Sequence, residues 1–113
     1  MTSIIFIRHG GRPAGFSVSG HSGYAESGQD IVCAAVSSAV SLTECQLNDV
    51  LGQNVPATVD ARRARIRMEI PPQADPATYA TCAGALEAFF LSMRRLSGEY
   101  PDYIRISEEN KSC

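Results

Sequence analysis

The chain has 113 residues, 44% hydrophobic and 19% charged, with a formal net charge of −2. That length suits one domain, 1–113, built on a single core, and the slight acidity excludes the basic footprint of a protein that binds nucleic acid directly. No apolar run approaches the roughly 20 residues that cross a bilayer and no signal-peptide pattern opens the chain, so no membrane partner and a cytoplasmic location are expected.

Residues 2–8 form a β-branched run, His9-Gly10-Gly11-Arg12-Pro13 reads as a turn, and Gly15 to Ser19 alternates as a return strand. A hairpin follows. Its Arg8-His9-Gly10 imitates the opening of histidine phosphatases, but those enzymes need a second active-site histidine and further arginines in a larger domain, and the other histidine here is His21. His9 is expected to be a solvated turn residue.

After Gly20 and His21 the chain enters a glycine-punctuated segment. Ser22, Gly23, Tyr24 and Gly28 are expected to form a mobile loop able to close over a substrate. Asp30 reads as a helix N-cap, which puts Ile31, Val32 and Cys33 in the first turn. There, backbone N–H groups lack partners and the macrodipole is positive, so a thiol ionises more readily. If the loop folds back so that His21 meets Cys33, the two have the parts of a general base and a nucleophile. Cys33, flanked by Ile31, Val32 and Val36, also fits ordinary core packing, and spacing alone leaves both readings open. Ser37 lies one turn beyond Cys33, placed to hydrogen-bond near the sulfur or to back-bond to its own helix.

The helix from Asp30 is expected to run to Leu51, with Gly52 as its stop. Strands are expected over 57–61 and 63–70, the second with Ala64, Ile66, Met68 and Ile70 on one side and Arg63, Arg65, Arg67 and Glu69 on the other. A proline-rich loop leads to a second helix, about 77–99, whose apolar stripe from Tyr79 to Leu96 is wider than one core face requires. A short strand over 103–106 and a frayed polar tail complete the order ββαββαβ. This is an α+β fold, two helices packed on a largely antiparallel sheet. The cysteines, at 33, 45, 82 and 113, lack the spacing of a zinc site or a disulfide framework, so reduced thiols, no metal and no cofactor are expected.

Gly20-His21, then a small-residue loop, then Gly28-Gln29-Asp30-Ile31-Val32-Cys33-Ala34-Ala35-Val36-Ser37 resembles the signature of the bacterial ribosomal-processing cysteine protease family called Prp. The amino-terminal hairpin, the Val50-Leu51-Gly52 helix end and the Tyr100-Pro101-Asp102-Tyr103 segment also match. Ser22 departs from the pattern, which more often has Ala there, a small-for-small change beside the histidine. The resemblance implies His21 and Cys33 as the catalytic pair, with Gly20, Asp30 and Ser37 as supporting residues; Asp30 either caps the helix or orients His21. It further implies a cysteine endopeptidase that removes the amino-terminal extension of a large-subunit ribosomal protein precursor, and a homodimer, which the surplus apolar stripe permits. The alternative is a non-catalytic ribosome-assembly or protein-binding module docking through Arg63, Arg65 and Arg67.

Overall fold

The amino-terminal hairpin is the centre of the sheet. In the computed structural model, which describes the backbone of residues 1–20 and 27–112 and the side chains of 1–20 and 31–112, strands β1 (Thr2–His9) and β2 (Arg12–Ser19) pair antiparallel. Gly10 and Gly11 both have positive φ, 56° and 82°, as a two-residue type I′ connection demands. The register slips between Ile7 and Arg8, and Pro13, with no N–H to give to a ladder, pairs at that bulge.

Helix α1 (Ser27–Glu44) and strands β3 (Ala57–Asp60) and β4 (Arg65–Glu69) follow, then helix α2 (Pro76–Glu99) and strand β5 (Ile104–Lys111). The sheet order is β3-β4-β2-β1-β5, antiparallel except for β5, which runs parallel to β1. The expected α+β order ββαββαβ is thus the one observed.

Through Lys111 the tail does not fray. It pairs with β1 over its whole length, from Thr2 opposite Ile104 to His9 opposite Lys111, because β1 would otherwise offer a row of unpaired backbone groups. Helix α1 begins earlier than expected, and Gly28 lies in its first turn rather than in the loop. It continues as a π-helical stretch, Cys45–Val50, in which the Leu51 amide reaches the Gln46 carbonyl at 2.9 Å. Gly52, at φ 65°, then turns the chain and lets the Gln53 amide bond the Leu47 carbonyl at 3.0 Å.

Pro76 occupies the first turn of α2, where its missing N–H costs nothing. The helix buries Tyr79, Cys82, Leu86, Phe89, Phe90 and Met93. Phe90 stacks on Phe6 of β1 with ring centroids 4.4 Å apart, and Phe89 meets Phe16 of β2 at 4.3 Å. Because α2 lies against both the sheet and α1, its wide stripe is consumed within one chain, and the width gives no argument for a second copy.

Candidate functional site

The cleft at Cys33 is walled by three elements. Helix α1 supplies Cys33, Val36 and Ser37, the end of β2 supplies Val18 and Gly20, and the β3–β4 hairpin closes the far side with Val59 and Ile66, around a cavity of about 440 Å³. Cys33 is half-buried and Ser37 exposed. The sulfur is therefore not sunk in the core; that fate belongs to Cys82, whose thiol burial makes harder to ionise.

Glycine at position 20 is required twice over. Its φ is 84°, and a Cβ there would lie 2.5 Å from the Met1 carbonyl oxygen. The amino terminus is thus part of the cleft: Thr2 donates its amide to the Tyr103 carbonyl at 2.9 Å and lines the cavity with a side chain 2% exposed. Thr2 Oγ1 has no hydrogen-bond partner, nor does Nε of Arg65, another residue of the cavity wall. Buried polar atoms without partners are uncommon in native proteins, and those found among the described residues belong to this one cleft.

The structure thus brings Gly20, Cys33 and Ser37 together. His21, Ser22, Gly23 and Tyr24 lie outside the described residues, and with them the distance from the imidazole to the sulfur. Asp30 is not an N-cap, since α1 starts at Ser27 and Asp30 is already helical; its side chain is also outside the described set. Cys33 consequently sits near the end of the second turn. The field of a helix terminus has largely fallen off by that depth, and an amide there is occupied by the intrahelical ladder, so the unpaired amides of α1 belong to residues before Cys33. Ser27 and Gly28 lengthen the helix because glycine costs least in the first turn, where few backbone bonds depend on it.

The arginine face is not an open patch. Arg67 stands 3.1 Å from both Glu69 and Glu109, and Arg63 stands 3.7 Å from Asp60. Asp60 Oδ1 also accepts from the Arg62 and Arg63 amides, at 3.1 and 3.3 Å, which shapes the β3–β4 turn that walls the cleft.

His9 is not solvated but 1% exposed. Its Nδ1 is 2.8 Å from the Tyr79 hydroxyl and its Nε2 is 2.6 Å from Glu69, which also accepts from Lys111 at 2.9 Å. This network occupies the end of the sheet away from Cys33. Burial alone would raise the Glu69 carboxyl; the hydrogen bonds from Lys111 and His9 and the nearby Arg67 charge outweigh it and hold that carboxyl below its ordinary value.

Several solved structures share this fold, three of them as follows. SMU.848 from Streptococcus mutans superposes with a TM-score of 0.85 at 24% identity, over 98% of this chain and 96% of that one. The essential ribosomal processing protease Prp from S. aureus, in complex with a substrate peptide, gives 0.81 at 16% identity, over 96% of this chain and all of that one. The same enzyme with a covalently linked product peptide gives 0.71 at 19% identity, with the same coverage. No curated protein sequence matches the chain. The family described as Cysteine protease Prp matches residues 1–105. Spanning nearly the whole fold and the cleft at Cys33, that match makes this chain a member of the Prp family of cysteine proteases.

Proposed function

We propose that this chain is the endopeptidase that removes the amino-terminal extension of a large-subunit ribosomal protein precursor, with Cys33 as nucleophile and His21 as general base. The observation that carries the reading is a partly exposed thiol on the wall of a roughly 440 Å³ cleft, in a chain whose family is a cysteine protease. His21 takes the Cys33 proton and the thiolate adds to the peptide carbonyl carbon. The tetrahedral adduct collapses with cleavage of the C–N bond, and the imidazolium protonates the departing amine. A water, deprotonated by the same imidazole, then attacks the thioester and returns the thiol. Ser37, one turn beyond Cys33 on the same wall, is a positioning residue for the sulfur or the substrate, and the segment 22–26 closes over the bound peptide. The ribosomal role of the S. aureus relative supports a cytoplasmic site of action, and the family resemblance supports a homodimer.

The test is incubation of wild type, Cys33→Ser and His21→Ala with the ribosomal protein precursor of the source organism, followed by mass spectrometry. Wild type is expected to release one amino-terminal peptide and both variants none. Clipping that persists in Cys33→Ser would remove the nucleophile from this account.

A further inference from the structure

The cleft at Cys33 does not end there. A second cavity of about 320 Å³ shares Val18, Val36, Ser37 and Ile66 with it and runs on along α1 past Val40 to Glu44. Cys33, Ser37, Val40 and Glu44 fall three or four residues apart on one face of the helix, so the two cavities make one groove between α1 and the hairpin of β3 and β4. Its floor is apolar. At 1.5 Å of rise per residue the groove extends roughly 16 Å from Cys33 to Glu44, the span of about five residues of extended peptide.

Charge is placed asymmetrically along this length. Glu44 is the charged side chain lining the far cavity, it is exposed, and it makes no ion pair with any described residue. The near cavity is bordered by Arg65, and its carboxylate, Asp60, is engaged by the Arg62 and Arg63 amides. Among the described residues, the unopposed negative charge that a peptide in the groove meets is therefore at its distal end.

We propose that this groove holds the substrate chain in extended form and that Glu44 is a specificity residue, selecting a lysine or arginine about five residues from the bond that is cut. The inference rests on the peptidase reading and deepens it. Apolar side chains fill the floor, and the distal cation pairs with Glu44 at the exposed end, where such a pair changes a rate constant modestly, by roughly two- to fivefold.

A synthetic peptide library with lysine, alanine or glutamate at each position up to seven residues either side of the cut tests this, with wild type, Glu44→Lys and Cys33→Ser compared by mass spectrometry. Wild type is expected to cleave peptides with a distal lysine roughly two- to fivefold faster than those with glutamate there, and Glu44→Lys to reverse the order at that position alone. Retained melting temperature and circular dichroism of Glu44→Lys confirm its fold. Equal profiles for wild type and Glu44→Lys would overturn the role of Glu44 while leaving the peptidase intact. Absence of any Cys33-dependent cleavage would overturn the peptidase reading, and this inference with it.

Discussion

Arg67 on β4 reaches across two strands to Glu109 on β5, its guanidinium 3.1 Å from that carboxylate and 3.1 Å from Glu69. In register, Glu69, Gly15, Ile7 and Glu109 form one row across the sheet, so the guanidinium bridges the two ends of the row above a residue with no side chain. Ile7 points away from the face on which Phe6 stacks against Phe90, yet it is fully buried. Long ion-paired side chains roof it instead of a helix.

Arg67→Ala is expected to destabilise the fold by about 1–2 kcal/mol, because it uncovers Ile7 and leaves two carboxylates on the same face without their shared cation. Arg67→Lys is expected to recover only part of this, since a single ammonium does not bridge two carboxylates as a planar fork does. Urea unfolding of the three proteins measures it; equal midpoints would show the roof to be energetically idle.

Glu69 gives the fold an acid-sensitive element. Its folded carboxyl lies below the ordinary value of 4.5, so its contribution is fully present above that value and is lost as the pH falls through the folded value. Glu69→Gln is expected to be less stable than wild type at pH 7, with the gap closing below about pH 4.5. Melting temperatures of both proteins from pH 7 to pH 3 check this, and a gap independent of pH would contradict it.

Gly20 and Gly11 form a controlled pair. Both have φ above 80°, but a Cβ at Gly11 meets nothing within 4 Å, whereas at Gly20 it meets the Met1 carbonyl oxygen. Gly11→Ala is expected to cost about 1 kcal/mol for the dihedral alone, and Gly20→Ala about 2–3 kcal/mol together with loss of peptide cleavage. Thermal unfolding supplies the first comparison and precursor clipping the second.

The thiols should separate by burial. Cys45 is exposed, Cys33 half-buried and Cys82 inaccessible with a raised pKa. Iodoacetamide at pH 7.5 is expected to label Cys45 and Cys33 in the native protein and Cys82 only in denaturant, read by peptide mapping. Native labelling of Cys82 ahead of Cys33 would contradict the burial described here.

Thr2→Val replaces an unpartnered buried hydroxyl with a methyl of similar shape and is expected to leave stability unchanged or raise it by up to about 1 kcal/mol. If the hydroxyl serves the bound peptide, cleavage slows while stability does not fall. The two readouts separate the roles.

The elements legible from local pattern are those whose partners lie nearby in sequence. Gly10-Gly11 between β-branched runs specifies its own hairpin, and the stripe from Tyr79 to Met93 specifies its own helix. Where the partner is distant, reading along the chain fails. Residues 107–111, Ser-Glu-Glu-Asn-Lys, carry no apolar alternation and become a strand because β1 offers them an edge. His9 is buried because Glu69, sixty positions away, receives its ring nitrogen. The start of α1 departs from local pattern for a different reason: Gly28 and Asp30 are good loop and cap residues taken singly, and only the continuing helix overrides them. Cys33, Ser37 and Gly20 come from the one motif and line one cleft, but Val59, Ile66 and Thr2, which also wall it, come from strands no local pattern connects to it.

Strand β5 lies along β1 from Thr2 to His9, and the Tyr103 carbonyl just before it accepts the Thr2 amide. Thr2 also lines the cavity at Cys33, so a substitution that loosens β5 is transmitted through β1 to the wall of the cleft, far along the sequence from the thiol.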